Sequence, residues 1–163
     1  MDLYFRQQLL LMIRALYFDM ENKWAEIGRE YNLSPAQQHI LFLLSSNENK
    51  LTPTKIGELG CWHNSTVTRL LNRLETNGFI YVETKRNHSG FKVVSMTENG
   101  KEMLEKLIKK VKSTERFPFD LRHLSEKEAK LFLELGNSIL DIEKGKEFRN
   151  NVIEAQAEDC DYA

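Results

Sequence analysis

Residues 64–80 read NSTVTRLLNRLETNGFI, and the placement of their apolar side chains decides the fold. Val67, Leu70, Leu71 and Leu74 recur at helical spacing and line one face. Ser65, Thr68, Arg69, Asn72, Arg73 and Thr76 must then lie toward the other side. Gly78 is placed to stop the helix, because glycine adopts the left-handed conformation at a helix end without a Cβ penalty. The stretch is therefore a helix starting near Asn64, capped by His63 or Asn64. It buries one side and presents hydroxyls, amides and two guanidinium groups on the other.

Upstream, Thr52-Pro53 signals an N-cap followed by proline at the first helical position, and opens a short helix to about Gly60 with Ile56 and Leu59 inward. Ser34-Pro35 repeats the signal before the apolar run Ile40 to Leu44. Downstream, Phe79 to Val82 and Phe91 to Met96 are rich in β-branched and aromatic residues, and Asn87-His88-Ser89-Gly90 supplies turn chemistry between them. Helix, short helix, turn, helix and hairpin is the order of a winged helix-turn-helix, whose second motif helix enters the major groove of DNA. The polar side of 64–77 suits that task, since hydroxyls and amides serve phosphates or base edges and arginine forks onto guanine O6 and N7.

The flanks are helical too. Phe5, Leu9, Met12, Leu16, Met20, Trp24, Ile27 and Tyr31 recur every three or four residues, one face of a helix of roughly seven turns. Leu10, Ile13 and Tyr17 broaden the stripe beyond what a small core covers, which calls for a partner helix from a second copy. After the hairpin, Thr97-Glu98-Asn99-Gly100 starts a helix with Met103, Leu104, Leu107, Ile108 and Val111 inward, and Phe117-Pro118-Phe119 breaks it. Ser125-Glu126-Lys127-Glu128 is a capping box. It opens a last helix expected to turn Leu131, Phe132, Leu135, Ile139 and Ile142 inward.

The composition, 41% hydrophobic and 29% charged over 163 residues, is that of an ordinary soluble globular protein. No apolar run exceeds five residues, so neither a membrane span nor a signal peptide is expected, and the expected location is cytoplasmic. The net charge of -1 conceals an uneven distribution. Residues 51–97 hold six Lys/Arg against three acids, whereas the last 14 residues hold four acids and no base. A modest basic centre matters for a phosphate partner, while the acidic end opposes one. Two cysteines, Cys61 and Cys160, without a C-x-x-C pair give no disulfide framework. The chain has no G-x-G-x-x-G, Walker loop, G-x-S-x-G or H-E-x-x-H, and Cys61-x-His63 lacks the second pair that zinc needs. We therefore expect no enzyme, metal or cofactor.

Ser65 to Glu75 together with Gly78-Phe79-Ile80, and Thr97-Glu98-Asn99-Gly100 at the close of the wing, resemble the MarR family of bacterial winged-helix regulators, with the resemblance covering residues 33–105. It implies a mainly α fold with a small antiparallel β-wing, in which the long first helix and the two last helices build a homodimer. The corresponding division is a dimerisation helix over 1–32, a winged helix-turn-helix over 33–97, C-terminal dimerisation helices over 98–148 and an acidic, disordered tail over 149–163. The expected function is a transcriptional regulator, a repressor, that binds a pseudo-palindromic operator. Asn64, Ser65, Thr66, Thr68, Arg69, Asn72 and Arg73 would face the DNA, and Lys55, Lys85, Arg86 and Lys92 would hold phosphates. The family usually carries Asp-Arg at the wing tip, whereas His88-Ser89-Gly90 stands here, implying a wing that positions rather than reads.

The resemblance also implies a pocket between the dimer helices and each DNA lobe, taking a small aromatic or anionic effector or replaced by a reactive cysteine. Tyr17 and Trp24 are candidates to line it, or to pack as core. Cys61, just before a helix start that favours thiolate, is either a redox-sensing thiol or a small residue packed in the turn. A rival reading of the chain is a winged-helix protein-interaction module without DNA binding.

Overall fold

The computed structural model describes residues 2–84, 91–114 and 117–155. Helix α1 (Leu3–Arg29) leads to α2 (Pro35–Ser45), a two-residue strand β1 (Lys50–Leu51), α3 (Pro53–Gly60) and α4 (Asn64–Thr76). Strands β2 (Ile80–Thr84) and β3 (Lys92–Met96) follow, and α5 (Glu98–Ser113), α6 (Glu126–Glu143) and α7 (Lys146–Val152) complete the order. This is the expected mainly helical winged fold.

Helix α2 is the centre of the lobe. Ser34 and Gln37 form a reciprocal capping box with Pro35 in the first turn, so the start is specified by local chemistry. Its apolar run needs no alternation because the helix is enclosed: Ile40, Leu41, Leu43 and Leu44 have no exposed surface. Around it lie α3, α4, α5, the end of α1 and the sheet. Gln38 ties α1 to α2, its Nε2 donating to the Trp24 carbonyl (2.9 Å) and the Leu33 carbonyl (3.3 Å). Gly28 lets the two helices close, since a Cβ there would lie 2.1 Å from the Leu33 carbonyl oxygen.

The sheet has three strands in the order β1-β3-β2, where the sequence predicts a two-stranded hairpin. Val94 pairs with Val82 on one side and Leu51 on the other, all antiparallel. Strand β1 is too short to show periodicity, and its partner is 43 residues away in sequence. The wing is pinned where it meets α4 and α5: Thr97 Oγ1 donates to the Gly78 carbonyl (2.6 Å) and accepts from Gly100 N–H (3.1 Å). Gly100 has no room for a Cβ, which would sit 2.2 Å from the Phe79 carbonyl oxygen.

Two expectations about the ends need correction. Leu131, Phe132, Leu135, Ile139 and Ile142 are exposed, and α6 has no buried residue of its own. Its apolar face is real, but the described residues leave it exposed. Second, residues 149–152, expected in the disordered tail, are helical, because α7 runs to Val152 and is held against α6 by Arg149–Asp141 (3.3 Å). Residues 156–163, Cys160 among them, lie outside the described residues. The long α1 also leaves Leu10 (66%), Ile13 (58%) and Tyr17 (51%) exposed, and buries only Ile27 and Gly28 near its end. Among the described residues no helix is long and apolar enough to cross a membrane.

Candidate nucleic-acid interface

Helix α4 is amphipathic in the expected sense. Val67, Leu70, Leu71 and Leu74 are buried in the lobe, whereas Asn64, Ser65, Thr68, Arg69, Asn72 and Arg73 are exposed. At about 100° per residue, Ser65, Arg69, Asn72 and Thr76 fall along one outward row, with Thr68 and Arg73 on its flanks. Thr66 is half-buried at the margin of the face, so it is less accessible than the others proposed beside it. His63 is the N-cap but makes no side-chain capping hydrogen bond, which leaves α4 N–H groups at the start of the helix unpaired with their own cap.

The chemistry of the face is constrained in detail. Thr68 Oγ1 donates to the Asn64 carbonyl (2.9 Å) and Thr76 Oγ1 to the Asn72 carbonyl (2.8 Å). With its proton committed, the Thr68 oxygen is available as an acceptor and its methyl as an apolar contact. Arg69 and Arg73 form no ion pair among the described residues, so both guanidinium groups stand ready for an external anion. Glu75 is turned to another use. Val82 N–H, on the outer edge of β2, donates to Glu75 Oε1 (2.9 Å), which joins the wing to α4.

The phosphate candidates fare differently from one another. Lys92 is exposed opposite Thr84 at the outer end of the hairpin. Lys85, Arg86 and the His88-Ser89-Gly90 tip lie outside the described residues. Lys55 is not a free cation: its Nζ meets Glu147 on α7 at 2.9 Å and Glu58 at 3.4 Å. The hydrogen bond with Glu147 raises the Lys55 pKa and lowers that of Glu147, the two shifts agreeing as a charge-assisted pair should.

The turn before α4 separates two neighbours, Trp62 and Cys61. Trp62 packs against it, its ring edge-on to His39 at 5.6 Å and so close to Gly60 that a Cβ there would lie 2.3 Å from the indole. Burial lowers the His39 pKa and favours the neutral ring. Cys61, in contrast, is exposed and caps α3 in the left-handed conformation (φ 57°), a corner that glycine takes more easily. The packed-thiol reading of Cys61 is thereby overturned. Among the described residues no cluster of metal-ligating side chains occurs.

Away from α4, Ile13, Leu16, Tyr17 and Met20 of α1 face Phe119 and Phe132 across an open apolar cleft of about 230 Å³. Tyr17 lines this cleft, while Trp24, the other residue considered for an effector pocket, packs against the core.

A buried three-helix lobe, an outward polar face on its second motif helix with two arginines that form no ion pair among the described residues, and a wing tied to that helix define a winged helix-turn-helix protein. Residues 33–87 match the model of the MarR family. Curated relatives that the chain resembles are described as transcriptional regulators. The chain is 26% identical to the DNA-binding transcriptional repressor ScoC of Bacillus subtilis over 117 residues, covering 72% of this chain and 57% of ScoC. It spans about half the length of the curated relatives it matches. Its fold resembles the ligand-free organohalide-sensing regulator RdhR, with TM-score 0.71 at 15% identity over 98% of this chain and 91% of that one. MepR of S. aureus, solved as a DNA complex, gives TM-score 0.67 at 21% identity over 80% of this chain and 94% of that one.

Proposed function

We propose that the protein is a homodimeric transcriptional repressor that reads a pseudo-palindromic operator with one α4 per half-site. The observation that carries this reading is the outward face of α4, where Arg69 and Arg73 form no ion pair among the described residues and stand beside Ser65, Thr68 and Asn72. Such a set matches the edges of bases and the oxygens of phosphates. Ser65, Thr68 and Arg69 are assigned to base edges, and Asn64, Thr66, Asn72 and Arg73 to the groove margins. Lys92 supports the backbone from the wing, together with Lys85 and Arg86.

The exposed faces of α1 and α6 support the homodimer, since Leu10, Ile13, Leu135 and Ile139 form an apolar surface that a monomer leaves in water. A two-fold axis then sets half-sites about 10 bp apart centre to centre. The cleft beside Tyr17 offers apolar walls and no cation, which favours the aromatic part of an effector over an anionic one. The assignment of repression follows the relative described as a DNA-binding repressor. A cytoplasmic location follows from a DNA partner.

A gel shift on the DNA upstream of the protein's own coding region, run at two salt concentrations with competitor, tests the reading. A specific complex should weaken steeply with salt, each neutralised phosphate adding about 0.9 to the slope. Arg73→Ala should weaken it by about tenfold, the scale of one good arginine contact. A protein that retains no fragment from genome-wide selection supports the protein-interaction reading instead.

A further inference from the structure

The DNA-binding reading leaves α7 without a role, although it lies where it can affect that reading. It follows Gly145, whose φ of 84° and open surroundings make a joint between α6 and α7. From there α7 bridges two parts of the molecule. On one side Arg149 meets Asp141 of α6 and Glu154, both at 3.3 Å, with the Arg149–Asp141 pair largely shielded from solvent. On the other, Glu147 meets Lys55 of α3 at 2.9 Å, with the Glu147 side chain 78% exposed.

The two attachments differ in strength. The largely shielded Arg149–Asp141 pair holds α7 to α6, whereas an exposed lysine pair contributes little and yields to a competing anion. Lys55 is a compact cation near the start of α3, the first helix of the helix-turn-helix, and is the phosphate candidate on that helix. Glu147 occupies it with a carboxylate, the same class of ligand charge that a DNA phosphate brings. Helices α3 and α7 also touch one another, so the carboxylate is carried by an element that lies against α3.

We propose that α7 is an autoinhibitory clasp: Glu147 holds Lys55 away from a DNA phosphate, and the lobe binds DNA more tightly when α7 releases. The proposal rests on the DNA-binding reading above. It also joins that reading to the dimer, because α7 is anchored on α6, whose apolar face is the one a second copy would cover. A change in the seating of α6 is transmitted to α3 through one exposed ion pair.

The test is a double-mutant cycle on a fragment selected with the wild-type protein, with binding titrated at low salt for wild type, Glu147→Gln, Lys55→Gln and the double variant. Glu147→Gln is expected to tighten binding by about two- to fivefold, the range of an exposed ion pair, and to do nothing in the Lys55→Gln background. Unchanged melting of Glu147→Gln by circular dichroism confirms that the effect is local. Equal tightening in both backgrounds means general relief of negative charge and overturns the clasp, as does an unchanged or weakened Glu147→Gln complex. Either of those outcomes, with a wild-type complex in hand, leaves DNA binding standing. A wild-type protein that retains no fragment overturns DNA binding and the clasp together.

Discussion

Helices α2 and α6 begin in the same way and end in opposite surroundings. Each opens with a capping box, Ser34 with Gln37 and Ser125 with Glu128, and each carries a run of large apolar side chains. In α2, Ile40, Leu41, Leu43 and Leu44 are wholly buried, while in α6 Leu135 and Ile139 are 58% and 60% exposed. The difference lies in what surrounds them. Helix α2 is packed by α1, α3, α4, α5 and the sheet, whereas α6 is packed mainly by α7. Amphipathicity thus shows that a helix has a face to bury, and leaves open whether the same chain buries it. For α6 and the first turns of α1, the proposed homodimer supplies that cover.

The contrast is broken most forcefully in the core. Leu41→Ala leaves a cavity in an enclosed helix and should cost about 2–5 kcal/mol of unfolding free energy, read from denaturant midpoints; a loss under 1 kcal/mol would mean α2 is not the centre of the lobe. The matching change on α6, Leu135→Glu, should leave the lobe's near-native circular dichroism intact. It should weaken the dimer by about a hundredfold through a charge buried at the contact, seen by light scattering as a monomer at micromolar concentration. A Leu135→Glu dimer of wild-type strength would remove α6 from the interface.

The two caps sharpen the comparison at smaller scale. Ser34→Ala should cost about 1 kcal/mol of lobe stability. Ser125→Ala loosens the start of α6 and should lower dimer affinity by about fivefold, with little change in lobe unfolding, on the same cap scale. If both substitutions shift only the unfolding midpoint, α6 folds as part of the monomer. The smallest effect concerns His39. Its folded pKa lies below the ordinary value because burial disfavours the imidazolium, so the unfolded chain takes up the proton first as pH falls. Stability is full above about 6.5, the unfolded value, and declines toward the lower folded pKa. His39→Gln should flatten that decline in denaturant titrations between pH 7 and 5, and an unaltered slope would assign it to other groups.

Much of the site is legible in the sequence. The spacing of Val67, Leu70, Leu71 and Leu74 determines which side chains of α4 turn outward, because a helix has one period and a buried face leaves one exposed complement. Thr52, Ser34, Thr97 and Ser125 announce their helices because capping is a contact between residues three apart. Thr66 is an instructive exception, since a residue at the edge of a face cannot be assigned by angle alone. Strand β1 escapes because two residues have no period, and α7 because a short polar helix has no apolar stripe to read.

What the sequence by itself determined is the set of local choices: where helices start and stop, which faces are apolar, and the polar character of α4. Tertiary structure alone decided that Lys55 is held by Glu147 across 92 residues, that Glu75 anchors β2, that Cys61 faces solvent while Trp62 packs, and that α6 buries none of its residues among the described ones. The physical reason is range. Capping and periodicity act within one or two helical turns, whereas an ion pair or a buried face depends on which distant elements the folded chain brings alongside.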